Sequence, residues 1–569
     1  MLRRFCALFF LLTLVGNAYV YSQSAQLAPA FTDSYHLIDR LEIKSGSLSN
    51  DFHSNVKPFQ RKQIADFLAR IDTVQNVNIN PIDRWNINYL SIDNWEFLDS
   101  TDQFIADSKK PILKHIYQKK NDLYYYKDNE FDIHVSPIFS FGGGSNSTDL
   151  EDKRKQFINT RGVEIRGVVG KKLGFYTYFT ENQASSPAFV RDYSLAANSF
   201  AYYGLTKITK DDSVKLQRDY LGAEGYIVFQ PSKHFAFRFG HAKNFIGSGV
   251  RSIILSDFSA PYLQFNAEVK LGRLQYYNIF ASLTDTQIPR PIDNTVTIPS
   301  KFMAFHHLNI NVLKNLNVGL FEKVMFGRQN KIFDLNYVNP IIFYRFVEGY
   351  LGSSDNALVG FDFKYNFLRS FSLYGQYTID EFNSAEFKKD GWWGKKNAGQ
   401  VGLKYIDVLG IKQLDFQVEY NYARPYTFTH YSSVSNGVHA GMPLGHQLGA
   451  NFREGLFRFN YQPTSKLQLQ GTYISYIKGF DSDSTNYGGD IQKNNRKGRP
   501  SDYGNYIGQG VERIVNLGEL RGSYMLRHNL FLDLTYLKRN VQESGATIEN
   551  ENLFKFGVRF NFGQEPYLF

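Results

Sequence analysis

Cysteine is almost missing from this chain of 569 residues; Cys6 is the only one. It lies within the apolar run at the N-terminus, so disulfides, thiolate metal sites and cysteine nucleophiles are excluded from everything downstream. Long apolar runs are missing too. After Ser22 nothing approaches the roughly 18 residues of a membrane helix, so insertion into lipid would fall to strands. No basic run of the kind that grips nucleic acid is present, which makes nucleic acid a poor partner.

Several chemical motifs start but are not completed. Gly142-Gly143-Gly144 and Gly247-Ser248-Gly249 lack the Lys-Ser/Thr of a phosphate cradle and read as flexible loops. Asp481-Ser482-Asp483-Ser484-Thr485, followed by Asp490, resembles a calcium loop. Asn486 stands where the turn glycine belongs and Gln492 where the bidentate acid belongs. That excludes an EF-hand and leaves only an irregular calcium loop. His306-His307 fall in an expected strand, so their side chains point to opposite faces and cannot share a metal. His430, His439 and His446 share one polar segment without paired carboxylates. No spacing singles out a Ser–His pair. The expectation is a non-enzyme without a cofactor.

What the chain has in excess is aromatic surface: 38 Tyr and 50 Phe, against a mean hydropathy of −0.35. Strands with one lipid face, one wet face and aromatic girdles have this composition. Within Asn552–Gly563 the residues Phe554, Phe556, Val558, Phe560 and Phe562 alternate with Lys555, Gly557, Arg559 and Asn561. Leu263–Leu271 and Val359–Phe367 repeat the period of two, with Asp362 and Lys364 on the wet face of the latter.

Residues 1–22 read as a secretory signal: Arg3 and Arg4, an apolar stretch, then Val20-Tyr21-Ser22. Its removal lowers the net charge from +10 to +8, and a positive surface favours anionic glycans or lipopolysaccharide phosphates. Residues 23–128 carry helical patterns instead. Thr32 or Asp33 would cap a helix with Leu37, Ile38 and Leu41. Lys57-Pro58 opens a stripe of Ile64, Phe67, Leu68 and Ile71, and Asp83 would cap a third helix with Trp85, Tyr89 and Ile92. They form a periplasmic bundle or a plug for the mouth of a barrel.

Residues 129–569 alternate short turns with long polar segments. Turns fall near 170–172, 231–233, Gly272, 314–315, Arg369, 409–410, 463–464 and 527–529. Long segments span 142–157, 184–216, 243–261, 284–299, 327–354, 381–397, 423–447, 478–511 and 541–550. This predicts an antiparallel outer-membrane barrel of about 18 strands, with periplasmic turns and extracellular loops. A propeller would need a blade repeat of about 40–50 residues, and none is visible. In the outer loops Trp392, Trp393, Tyr344, Arg345, Arg424, Tyr426 and His430 suit a glycan. Aromatic faces pack on sugar C–H groups and arginine forks grip acidic groups. Aromatics at loop bases also serve simply as interface anchors.

The segments Gly240–Gly249 with Ser252–Pro261, Tyr337–Arg345 with 354–358, and Ala423–His430 with Pro443–His446 are similar to the capsule-assembly Wzi family, in order along most of the barrel. Phe245-Ile246-Gly247-Ser248 stand where that family tends to Trp-Gly-Pro. The resemblance implies a barrel occluded by N-terminal helices that helps attach capsular polysaccharide. The texture also resembles RemB-type outer-membrane proteins of gliding Bacteroidetes, which would make motility or secretion machinery the partner. A diffusion porin is the third reading. The expected state is a monomer in the outer membrane.

Overall fold

The computed structural model describes residues 34–563 except 72–76, 110, 113–114, 148–155, 171, 198, 205–216, 288–298, 329–331, 340–342, 353–354, 382–384 and 387. The expected signal segment, the cap at Thr32 or Asp33 and the tail Gln564–Phe569 lie outside the described residues.

The chain begins with α1 (Ser34–Ser45), β1 (Val56–Lys57), α2 (Arg61–Ile71), α3 (Pro81–Asp93) and β2 (Tyr124–Lys127). There follow β3 (Phe131–Asn146), β4 (Gln156–Val169), β5 (Leu173–Ser185), α4 (Ala188–Ala197), β6 (Gln217–Ser232), β7 (Phe235–Ala242) and β8 (Phe245–Ile246). Next are β9 (Tyr262–Leu271), β10 (Leu274–Thr284), β11 (Ser300–Asn311), β12 (Leu316–Phe326), α5 (Tyr344–Leu351), β13 (Asn356–Phe367), β14 (Phe371–Ile379) and β15 (Asn397–Tyr405). The chain ends with β16 (Leu414–Ala423), β17 (Val438–His439), β18 (Met442–Pro443), β19 (Phe452–Thr464), β20 (Leu467–Phe480), β21 (Val511–Arg527), β22 (Leu530–Glu543) and β23 (Ala546–Phe560).

Strands β3–β7, β9–β16 and β19–β23 form a closed antiparallel barrel of 18 strands, sealed where β23 pairs with β3 from Leu553↔Asn146 to Phe560↔Phe139. Closure satisfies each strand's backbone groups, which the bilayer demands of any spanning sheet. The period of two sorts the side chains as expected. Leu320, Phe361 and Phe556 face outward at 57%, 43% and 60% exposure, whereas Asp362 and Lys364 face inward at 1%.

The short turns fall near their expected places, those near Pro231-Ser232-Lys233 and Pro463-Thr464 shifting to Lys233-His234 and Ser465-Lys466. Three long segments require correction. The stretch 541–550 is mostly strand: β22 and β23 meet in the two-residue turn Ser544-Gly545, whose φ angles of 49° and 85° are those of a tight hairpin turn. Gly142-Gly143-Gly144 are not a loop but part of β3, paired with β4 and β23. Their bare inner face helps line a cavity of about 130 Å³. The segment 243–261 is not displayed outside. It folds into the lumen, with Ile253, Ile254 and Leu255 fully buried.

The helices sit within the lumen as a plug. Leu37, Ile38, Leu41, Phe52, Phe59, Ile64, Phe67, Leu68, Ile71, Ile87 and Leu90 form its own apolar core. The cap of α3 is Asn80, not Asp83. Pro81 takes the first helical position, and Asp83 closes a capping box by accepting the Asn80 N–H. The plug's polar side chains meet the wet wall in register. Lys364 Nζ reaches Asp39 and Glu42, each at 2.5 Å, and Lys404 reaches Asp39 at 2.5 Å. Arg40 joins Asp83 (3.2 Å), Asp407 (2.5 Å) and Asp415. His528 meets Asp93 at 2.7 Å, and Tyr89 donates to Asn529 at 2.7 Å.

Burial pushes Asp39 and Asp407 up, but Lys364 and Lys404 beside the first and Arg40 beside the second outweigh it and hold both below the ordinary carboxylate range. A carboxylate with a depressed pKa contributes stability above its unfolded value and loses it as pH falls through the folded one. The plug should therefore loosen only below about pH 4, read as protease access to residues 34–93 in the detergent-solubilised protein. Arg40→Met removes the cation shared by Asp83, Asp407 and Asp415, leaving them, among the described residues, only Lys44 and His36 as cationic partners. It should destabilise plug docking by about 3 kcal/mol, seen by the same assay at neutral pH.

Candidate functional site

The lumen is closed from the outer side by its own loops. In the 243–261 arch, β8 pairs antiparallel with β1 of the plug, Val56↔Ile246, so the two ends of the filling meet in a two-stranded ribbon. Inward side chains of the wall hold the arch. Gln376 accepts the Ile253 N–H at 2.9 Å and donates to the Ile246 carbonyl at 2.7 Å. Glu419 accepts the Val250 and Arg251 amides at 2.8 and 3.2 Å. Arg251 reaches Glu454 at 3.3 Å, and His446 bonds the same carboxylate at 2.9 Å. His439 Nδ1 instead accepts the Thr284 amide at 3.0 Å, so His430, His439 and His446 are not gathered into one site. Among the described residues no group of histidines and carboxylates converges as a metal site. Asp481 accepts the amides of Tyr487 and Gly489 at 2.7 and 3.1 Å and so shapes its own loop.

Above the arch, the segments 380–396, 424–451 and 481–510 lock together, chiefly through side chains bonded to backbone. Arg424 donates to the carbonyls of Lys395 (3.1 Å) and Asn505 (3.0 Å). Tyr426 donates to the Asn486 carbonyl at 2.8 Å, and the Trp393 amide to Asp502 at 2.9 Å. Asn494 reaches the Tyr431 carbonyl at 2.8 Å, and Asn505 that of Gly391 at 3.0 Å. Gly391 has a φ of +60°, and a Cβ there would come within 2.5 Å of the amide nitrogens of Gly504 and Asn505.

This lattice presents an aromatic and basic surface. Trp393 is half-buried, edge-on to Trp392 (6.3 Å) and to Tyr426 (6.0 Å). The Arg499 guanidinium lies 4.0 Å over the Trp393 ring and Lys396 Nζ 5.4 Å from it. Beside it, His430 rests on Tyr431 at 4.2 Å, and Arg496 covers Tyr431 at 4.2 Å. Burial, reinforced by Lys396, lowers the His430 imidazole to about 4, so it is neutral at pH 7.

Of the expected site residues, Trp392, Trp393, Arg424, Tyr426 and His430 thus fall in one cluster. Within it Tyr426 is fully buried and Arg424 is engaged by carbonyls, so these two support the surface rather than form it. Tyr344 and Arg345 are elsewhere: Tyr344 is fully buried against the outward face of β11 and β12, with Arg345 exposed next to it. Sequence reasoning missed Arg496 and Arg499. The available signal was Lys493-Asn494-Asn495-Arg496-Lys497-Gly498-Arg499, too dilute in charge to register as a basic run.

A closed barrel with an apolar exterior and a lumen filled from both sides is a plugged outer-membrane barrel. The model of the family described as capsule assembly protein Wzi matches residues 223–565, more than half of the chain, and the protein belongs to that family. Among solved structures, Wzi of Escherichia coli is similar in fold: 13% identity and a TM-score of 0.56 over 95% of this chain and 100% of that one. It is described as an outer-membrane, carbohydrate-binding β-barrel involved in group 1 capsule assembly. OprD of Pseudomonas aeruginosa stands further off, at 11% identity and a TM-score of 0.41 over 78% of this chain and 97% of that one. No curated protein matches the sequence.

Gly391→Ala should open the junction of the three segments at a cost of about 1–2 kcal/mol. The check is faster protease nicking within 481–510 while the barrel keeps its heat-modifiable mobility on a gel.

Proposed function

We propose that the protein binds an acidic surface polysaccharide at its extracellular face and helps hold it on the cell, without catalysing its modification. Supporting this reading is a single arrangement: a half-exposed indole at Trp393, with Trp392 at its edge and Arg499 stacked over it. Indole faces take up sugar C–H groups, and guanidinium forks pair with carboxylates or phosphates bidentately. Arg496 and Lys497, both exposed on the same loop, add positive charge where an acidic polymer would approach. The Wzi family and the description of its E. coli member agree with this reading. In this scheme residues 1–22 are a cleaved export signal, 23–128 the plug and 129–569 the barrel. The protein works as a monomer against lipopolysaccharide.

Trp393→Ala should weaken binding of polysaccharide stripped from the producing cells by about 1–2 kcal/mol, roughly tenfold, in an immobilised-barrel assay. Arg496→Gln combined with Arg499→Gln should weaken it similarly and flatten its dependence on salt. Unchanged binding in both variants, with barrel yield intact, overturns the site.

A further inference from the structure

After β12, the described residues of 327–355 lie over the outside of the barrel. On β11 the odd residues face the lumen, where His307 bonds Asp362 at 2.7 Å and Asn309 bonds His53 at 2.7 Å. The even residues therefore face lipid. On that face Phe302, Ala304, Val324 and Phe326 are covered by Tyr337, Tyr344 and Val347 of the segment, each no more than 5% exposed.

Beneath the helix lies a polar pair on the lipid side. His306 and Glu322 are cross-strand partners whose side chains meet at 3.2 Å. The helix covers both. The Tyr344 and Arg345 amides at the start of α5 donate to the Glu322 carboxylate at 2.7 and 3.0 Å, and the Tyr344 ring stacks on His306 at 4.4 Å. Arg328 anchors the base of the segment through two bonds to Asp355 (2.9 and 2.7 Å) and one to Asp334 (2.9 Å). The docking is thus specific, and it shields an ionisable pair that would be costly if bare in hydrocarbon.

The other side of the segment also presents large apolar side chains, beside exposed Asn336, Asn339 and Arg345. Leu335, Phe343, Phe346 and Tyr350 are 79%, 64%, 62% and 85% exposed. A helix apolar on both faces is a buried helix. The exposed face is continuous with the barrel's lipid belt. Glu322 pairs with Val359, which is 42% exposed, and the next row, Leu320↔Phe361, is bare apolar wall.

We propose that the face formed by Leu335, Phe343, Phe346 and Tyr350 is sunk in the acyl chains of the outer leaflet. The segment is then a lipid-binding anchor clipped to the barrel wall, not an extracellular loop that contacts polysaccharide. Its occupant is the hydrocarbon of the lipid surface; the polar ends of Tyr350 and Arg345 would reach the headgroups.

With Cys6 replaced by serine, single cysteines at Phe346→Cys, Tyr350→Cys and Leu335→Cys carry a nitroxide in phosphatidylcholine proteoliposomes. Labels at Leu320→Cys, in the belt, and Tyr503→Cys, on an outer loop, serve as references. The expected result is collision with oxygen severalfold above collision with a water-soluble nickel chelate at all three positions, matching Leu320. Chelate-dominated collision, matching Tyr503, overturns the proposal in favour of a wet loop. Exclusion of both reagents overturns it in favour of a protein cover. Glu322→Ala should free the helix and raise label mobility at Phe346; an unchanged spectrum overturns the clip.

Discussion

An 18-stranded barrel is wider than its own inward side chains can fill, and that excess width governs the rest of the molecule. A strand with one lipid face must put polar groups on the other, and a polar wall around a void needs either water or partners. This chain supplies partners. Lys364 and Lys404 are met by Asp39 and Glu42 from the plug, Glu419 and Gln376 by backbone amides of the 243–261 arch. The ribbon of β1 and β8 joins plug to arch, so two segments of one chain complete each other's hydrogen bonding within the lumen. Buried charges that would be costly alone become tolerable because these are met by opposite charges or by amides, and removing a partner returns part of that cost.

With the lumen filled, the proposed function falls to the rim. The outer segments are joined chiefly by side-chain bonds to backbone rather than by an apolar core of their own, as with Arg424 on Lys395 and Asn505, or Asn494 on Tyr431. Such bonds fix a loop without burying its aromatic rings. Trp392, Trp393 and Tyr431 are left half-exposed in set positions, while the same lattice buries Tyr426 and spends the Arg424 guanidinium on the carbonyls of Lys395 and Asn505.

The wall was legible because a period of two survives in any sequence whose faces see lipid and water. Phe554 and Phe556 face outward, Asp362 and Lys364 inward, and the short turns lie where polar residues interrupt the alternation. What lies inside the barrel was not legible by that route. The arch 243–261 is polar enough to pass for an exposed loop, and its Ile253-Ile254-Leu255 becomes core only by meeting side chains from distant strands. Asn80 was overlooked as a cap because Asp83 offers the same chemistry three residues later. Gly142–Gly144 read as a loop because glycine signals flexibility and a bare strand face alike. Of the candidate glycan residues, five of seven share a region, but periodicity cannot say which of five neighbouring side chains turns outward. Tyr344 and Arg345 were grouped with them because composition does not distinguish a loop that rises from one that folds back along the wall.

Preorganisation also bears on the kind of ligand that the rim suits. A polysaccharide is flexible, and each repeat unit it orders on binding costs conformational entropy, so a surface that must itself be ordered would gain little from a few stacking contacts. Here the Trp393 backbone N–H donates a hydrogen bond to the Asp502 carbonyl, and the ring is flanked by Arg499, itself tied to the Asp502 carboxylate at 2.9 Å. On the proposed reading, one such rigid stacking position, with charge beside it, would give modest affinity for a single unit. On a polymer of many identical units, and with many barrels in one membrane, modest affinity multiplies through effective concentration into durable attachment while each contact stays exchangeable. A deep enclosed pocket would grip a chain end tightly and hold only that end. On the proposed reading, the shallow rim over a filled lumen suits contact along a chain rather than at its end.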